Sequence, residues 1–132
     1  MKTFLHLSNI AVFLLIFGCN SEDEEITVLD VSIQNLTGTW KLTEVYVSPG
    51  GETEWRPVAN GHTYTFSGNG TFSSTGLDSC KEGEYSLNDD TLNLNCGEES
   101  LVQKIDSISS GVLILKNPRC IEACLYKYKK VD

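Results

Sequence analysis

From Leu36 onward, apolar and polar positions alternate in short runs separated by turn residues, and no useful length repeats with the period of a helix. The pattern predicts strands over residues 39–47, 62–67, 70–75, 82–87, 91–96, 100–107, 111–116 and 125–131. The punctuation between them has chemical reasons. Ser67-Gly68-Asn69-Gly70 supplies residues that tolerate positive φ, so Phe66 and Phe72 can flank a tight hairpin. Asn88-Asp89-Asp90 does the same between Tyr85-Ser86-Leu87 and Thr91-Leu92-Asn93-Leu94, and Ser109-Ser110-Gly111 separates the next two runs.

Because successive side chains of a strand point to opposite faces, the alternation also predicts what is buried. Trp40 and Leu42 share one face, as do Tyr64 and Phe66, Tyr85 and Leu87, Leu92 and Leu94, and Leu101 and Ile105 with Gln103 between them. Val112-Leu113-Ile114-Leu115 is apolar on both faces and does not discriminate. In the last strand Tyr126 and Tyr128 alternate with Leu125, Lys127, Lys129 and Val131, which leaves an inward lysine open. Consecutive antiparallel strands with mostly short links describe an up-and-down meander, and closing it into a barrel removes its two exposed edges. The expected fold is therefore all-β, an eight-stranded antiparallel up-and-down barrel spanning residues 31–132. With eight strands the interior holds packed side chains or one small ligand. Residues 30–35 are expected to form a short helical turn that plugs one end.

Loops of a meander alternate between its two ends. The segments 48–61, 76–81, 97–99 and 117–124 fall at one end, which gathers Cys80, Cys96, Cys120 and Cys124 at a single rim. Four cysteines allow three pairings. Counting outward from the 88–90 turn sets Cys80 across the hairpin from Cys96, the preferred pair, and Cys120–Cys124 follows by elimination. A four-cysteine zinc site is disfavoured, since structural zinc usually takes two tight pairs and Cys80 and Cys96 are far apart in sequence. No metal or cofactor is expected.

The start of the chain gives an address. Lys2 precedes the apolar run Ile10-Ala11-Val12-Phe13-Leu14-Leu15-Ile16-Phe17, which ends at Gly18-Cys19, the layout of a secretory signal over residues 1–18. Ile16-Phe17-Gly18-Cys19 resembles the lipobox of bacterial lipoproteins, which implies that the Cys19 thiol is lipidated. Phe17 departs from the usual motif. The acidic run Glu22-Asp23-Glu24-Glu25 follows, with Asp30 completing a solvated tether over residues 19–30. Ser21 and these acids resemble the signal that sends some lipoproteins to the outer face of the outer membrane. The expected location is the bacterial cell envelope, with a lipid anchor in the outer membrane and exposure at the cell surface as one of two orientations. An exported cysteine set reads as disulfides.

Net charge is −8 for the whole chain. The tether carries five of the acids, so the remaining body stands at about −4. That balance argues against a nucleic-acid partner, which favours a basic face.

Leu36-Thr37-Gly38-Thr39-Trp40-Lys41-Leu42 carries a Gly-x-Trp that resembles the lipocalin signature. Together with the hairpins at 64–72 and 83–94, it resembles the small lipocalin-like domain of bacterial lipoproteins, over nearly all of the chain after the tether. The resemblance implies that Trp40 is structural, packed across the closed base under a basic side chain of the last strand, Lys127 or Lys129. Lipocalins usually present Arg there, and Lys lacks the planar group that stacks well on indole.

No catalytic set assembles. His62 is the sole histidine after the leader, and Asp89-Asp90 and Glu98-Glu99 are adjacent pairs in turns, so a non-enzymatic role is expected. By fold analogy the domain binds a small apolar ligand, with Leu42, Phe66, Phe72, Tyr85 and Leu94 lining the cup. The long 48–61 loop adds Trp55 and Arg56, residue types common at binding hot spots, with Trp55 either a lid over the mouth or a contact residue. The alternative is a protein-binding or inhibitor module acting through the disulfide-rimmed loops.

Overall fold

The structure is a computed structural model that describes residues 27–132. The leader, Cys19 and the acidic run of the tether lie outside the described residues. A four-residue helix, α1 (Ile33–Leu36), precedes nine strands: β1 (Gly38–Val47), β2 (Arg56–Pro57), β3 (Thr63–Phe66), β4 (Thr71–Thr75), β5 (Glu82–Asn88), β6 (Thr91–Cys96), β7 (Glu99–Ile108), β8 (Val112–Lys116) and β9 (Cys124–Lys130). All pairings are antiparallel between chain neighbours, apart from β1 pairing also with β3 and with β9. The β1–β9 seam closes an eight-stranded barrel, and two-residue β2 adds to the upper part of β1 beside the start of β3. Closure satisfies the edges that an open meander would leave unpaired.

The hydrophobic pattern translates directly into the core. Trp40, Tyr64, Phe66, Phe72, Tyr85, Leu92, Leu94, Ile105, Leu113, Leu115 and Tyr128 are all buried, and each occupies the inward phase of its strand. On β8 the inward residues are Leu113 and Leu115, which puts Val112 and Ile114 outside. On β9 the inward phase runs through Cys124, Tyr126, Tyr128 and Lys130, so Lys127 and Lys129 point outward and the one lysine on the inward phase, Lys130, is exposed at the end of the strand. Leu87 and Leu101 are only half-buried, against the rim of the core.

Two bulges break strict alternation. β1 shifts register between Leu42 and Glu44, and the Thr43 hydroxyl donates to the Lys127 carbonyl at 3.2 Å. Beyond the bulge Val45 turns inward, while Glu44 and Tyr46 go to the outer wall. β7 shifts between Ile105 and Ser107, which returns Ile108 to the interior. Bulges of this kind bend a strand and increase its twist, as a small closed barrel requires.

Two glycines allow the close approaches that the curvature imposes. A Cβ on Gly61 would stand 2.0 Å from the Leu42 carbonyl oxygen, and one on Gly83 1.8 Å from that of Asn95. Both contacts are with backbone, which cannot swing aside.

Ser32 caps α1, its hydroxyl accepting from Asn35 N–H at 3.2 Å, and Thr37 closes the turn by donating to the Ile33 carbonyl at 2.8 Å. The helix inserts Leu36, fully buried, into the end of the barrel closed by the tight hairpins. Trp40 lies against it, donating from Nε1 to the Leu36 carbonyl at 2.8 Å. The basic partner of Trp40 is Lys130, whose Nζ stands 5.5 Å from the ring, rather than Lys127 or Lys129. The reason is register: the barrel seam places Lys130 opposite Trp40.

Val28 and Leu29, assigned from sequence to the tether, are part of the folded body. Val28 bridges to Ser109, and Leu29 N–H donates to the Ile108 carbonyl at 2.8 Å. The closed barrel with its helical plug lies wholly within the described residues and has its own core, the mark of an independently folding unit.

Candidate functional site

The end opposite the α1 plug carries the three long connections and both disulfides, Cys80–Cys96 and Cys120–Cys124. Cys80 is buried, and its carbonyl accepts from the Ser74 hydroxyl, so the first bridge ties the β4–β5 connection to the top of β6. The second closes the β8–β9 connection, where Asn117 N–H donates to the Cys124 carbonyl at 3.1 Å.

The core is filled at both ends, with Leu94, Leu115 and Cys80 near the disulfides no more than 1% exposed. At the plugged end Leu36, Trp40, Phe66, Leu92, Ile108 and Leu113 are each no more than 1% exposed. At the disulfide end Val45, Val58, Leu77, Leu101 and Tyr126 are apolar but only partly buried, packed on the core from above. Gln103 sits at the inward register position opposite Leu92, and its Oε1 is buried without a hydrogen-bond partner among the described residues. Beside it a cleft of about 100 Å³ opens between the upper half of β7 and the start of the last loop, lined by Leu101, Gln103, Asn117 and Arg119 among others.

Between base and mouth lies an aromatic belt. Tyr64 contacts Phe66, Phe72 and Tyr128 at centroid separations of 5.6, 6.4 and 5.7 Å, and Phe66 meets Tyr85 edge-on at 5.2 Å. The Tyr85 hydroxyl donates to the Ser67 carbonyl at 2.6 Å. His62 packs edge-on against Tyr64 and Tyr128, and its Nε2 is hydrogen-bonded to the Tyr128 hydroxyl at 2.8 Å. Burial pushes the Tyr64 hydroxyl up to about 12. It pushes Tyr128 higher still, reinforced by the charges that Tyr64 and Tyr126 would carry. Both phenols are neutral at any physiological pH.

Burial lowers the His62 pKa from its ordinary 6.5, so the folded protein holds this imidazole neutral. Between 6.5 and the lower folded value the unfolded chain takes up a proton that the folded one does not. Stability from this residue is therefore full above pH 6.5 and declines as pH falls through the folded pKa. We expect the urea midpoint of the wild type to fall from pH 7.5 to pH 5.0 by more than that of His62→Gln. Parallel pH profiles would show that His62 contributes nothing to acid sensitivity.

The sequence-predicted ligand residues divide into two groups. Leu42, Phe66, Phe72, Tyr85 and Leu94 converge in the interior but pack on one another as core, from 0 to 7% exposed, and leave the base filled. Trp55 and Arg56 do not join them. Trp55 is neither a lid nor a mouth residue: it lies on the outer wall, 5.5 Å from the Tyr46 ring and with Lys127 Nζ 4.1 Å from its centroid. The β2–β1 pairing explains this, since Val45 faces Arg56 and the neighbouring outward Tyr46 takes the indole. Arg56 is exposed at the rim. The half-buried mouth residues Val45, Val58, Leu77 and Tyr126 were not singled out from sequence. The signal available for Val45 was Glu44, a charge falling on the apolar phase of β1 and marking the bulge.

Known proteins place this architecture. A solved structure of a lipocalin-like protein from Bacteroides uniformis is 19% identical and superposes with a TM-score of 0.54, covering 74% of this chain and 99% of its own. That of an uncharacterized protein from Bacteroides eggerthii is 16% identical, with a TM-score of 0.55 and coverage of 72% and 98%. No curated protein matches the chain significantly. The model of the lipocalin-like domain matches residues 36–115, from the buried Leu36 of the plug to the inward Leu115 of β8. The chain belongs to the lipocalin-like domain family.

Proposed function

We propose that this protein is a lipid-anchored binding protein of the bacterial cell envelope that holds a small, largely apolar molecule at the disulfide-rimmed mouth of its barrel. The observation that carries the reading is the ring of partly buried apolar side chains at the disulfide end, Val45, Val58, Leu77, Leu101 and Tyr126, above a filled core. Apolar side chains left only partly covered around one end of a barrel are surface that a small apolar ligand would bury. The unpartnered Gln103 Oε1 accepts a hydrogen bond from a donor on the ligand, which gives orientation to an otherwise apolar contact. Anchoring rests on Ile16-Phe17-Gly18-Cys19 and the acidic run behind it, and an outer-membrane lipid anchor on Cys19 is part of the proposal. Binding rather than catalysis is part of the proposal: the cleft beside Gln103 adds Asn117 and Arg119, and the belt beneath adds an imidazole and phenols, with no nucleophile and base brought together among the described residues.

Native mass spectrometry of the protein extracted from its own envelope tests the reading. The expected result is a co-purifying small molecule, displaced by an apolar fluorescent probe. Leu101→Glu is expected to weaken that probe about tenfold or more, since a buried charge in an apolar site costs well over 1.4 kcal/mol. A protein that carries no ligand and binds no apolar probe would rule the proposal out.

A second reading has its own observation. Ile121 is 98% exposed, held out on the loop closed by Cys120–Cys124, as an apolar contact for a protein partner would be. Ile121→Asp would abolish a protein contact while leaving the mouth probe unaffected.

A further inference from the structure

The parity that sends Leu113 and Leu115 inward leaves Val112 and Ile114 on the solvent side of β8. Antiparallel register then sets Lys129 beside Val112 and Lys127 beside Ile114. Across the barrel seam, Lys41 stands beside Lys129 and Glu44 beside Lys127. Val28, fixed by its bridge to Ser109, forms the opposite bank. A groove of about 390 Å³ opens here on the outer wall, its apolar surface from Val28, Val112 and Ile114 and its flank from Glu44, Lys127 and Lys129; Lys41 stands just beyond that lining, across the seam from Lys129. The groove lies on the other face of the sheet from the mouth and shares no lining residue with it.

Charge on this flank is not balanced. Lys127 is engaged: its Nζ is 3.0 Å from Glu44 Oε2 and sits over the Trp55 ring. Lys41 and Lys129 are like charges directly opposite each other on paired strands, an arrangement that is destabilising by itself. Among the described residues neither forms an ion pair; the pairs present are Lys104–Asp90 and Lys127–Glu44. In a chain of net charge −8, two ammonium groups that form no ion pair among the described residues, beside an apolar surface, fit a ligand with the complementary layout. The groove's size is within the range of small-molecule sites.

We propose that this outer-wall groove binds an anionic amphiphile with a single acyl chain, the chain lying on Val28, Val112 and Ile114 and the head group on Lys129 and Lys41. The occupant relieves the like-charge repulsion across the seam and covers the two outward apolar residues of β8 at once. The acidic run at 22–25 is a weaker fit, because it offers charge but no apolar residue before Ile26. The site does not depend on the mouth being a ligand site.

The test is calorimetric titration of the chain from Asn20 to Asp132 with monomeric decanoate, decanol and acetate. Decanoate is expected to bind saturably in the groove, with decanol about tenfold weaker there, the scale that two surface charge contacts supply. Acetate alone is expected not to register. Ile114→Glu, and separately Lys41→Glu with Lys129→Glu, are each expected to weaken decanoate about tenfold or more, while Leu101→Glu changes it less than about twofold. These substitutions are on the outer wall, and far-UV circular dichroism checks that the barrel is intact; the lysine pair serves if Ile114→Glu does not fold. Decanoate lost in Leu101→Glu but kept in Ile114→Glu would move the ligand to the mouth and overturn the proposal. Equal binding of decanol would overturn the role of the lysines. Binding seen only after removal of residues up to 26 would assign the groove to the chain's own acidic segment instead.

Discussion

Trp40→Ala is expected to lower the unfolding free energy by about 3–5 kcal/mol, the range for deleting a fully buried aromatic side chain. Trp40 is 0% exposed and lies where the plug, the seam and the base of the barrel meet. Truncation empties the largest side chain of the core, and the surrounding strands, fixed by ladder hydrogen bonds on both sides, cannot close over the gap. It also leaves the Leu36 carbonyl without the Nε1–H donor 2.8 Å away, at the end of a helix whose carbonyls have few other partners. Contact with Lys130 adds about 0.5–1 kcal/mol at a partly exposed site. A domain of this size has about 5–15 kcal/mol in total, so the variant should be near the edge of folding at 37 °C. Trp40→Phe separates the contributions: it keeps most of the apolar volume, loses the hydrogen bond, and should cost about 1–3 kcal/mol. Urea denaturation followed by far-UV circular dichroism measures both. A Trp40→Ala loss below about 1 kcal/mol would mean that the base is not packed as described.

Strand order, hairpins and closure were legible because each depends on local signals. Turn residues such as Asn69-Gly70 and Asp89 set the hairpins, and Asp89 takes φ 52° as its turn requires. Closure followed from the cost of two open edges. The α1 plug came through as a short turn displaced by a few residues, since its position depends on where Leu36 finds a cavity rather than on propensity.

What stayed hidden is governed by register across the seam and by the two bulges. Strict alternation from Trp40 and Leu42 would carry Glu44 and Tyr46 into the core. The bulge after Leu42 reverses this, and with it the whole mouth end of β1. The same non-local pairing decides that Lys130, not Lys127 or Lys129, reaches Trp40. No local pattern could decide which half of Val112-Leu113-Ile114-Leu115 faces out, so the outer groove was invisible from sequence. Trp55 was misplaced for a related reason. Its position depends on Tyr46 being outside, which depends in turn on the bulge.

Removing the Cys80–Cys96 bridge is expected to cost about 3 kcal/mol, and removing Cys120–Cys124 about 2, when each is calculated from the loop-closure entropy of the unfolded chain. The difference comes from sequence separations of 16 and 4 residues. Burial widens it. Cys80 is 1% exposed and packed in the core, so the paired Cys80→Ser, Cys96→Ser variant also puts a hydroxyl where a sulfur was enclosed. The Ser at position 80 must then find a partner or meet part of a desolvation cost of about 1–3 kcal/mol. Paired replacement by Ala avoids the hydroxyl and isolates the cross-link itself. The bridge joins the segment after β4 to the top of β6, across a β5 that pairs with β4 over only three residues, 82–84. Without it, the β4–β5 corner is the expected place for the mouth to loosen first, visible as faster amide exchange at 71–75 and 82–84 than at β1 or β9. Exchange that is faster by the same factor around the whole barrel, with no excess at this corner, would show that the bridge acts only through the unfolded chain and does not hold the corner. An equal loss from both disulfides would show that loop length does not govern either one.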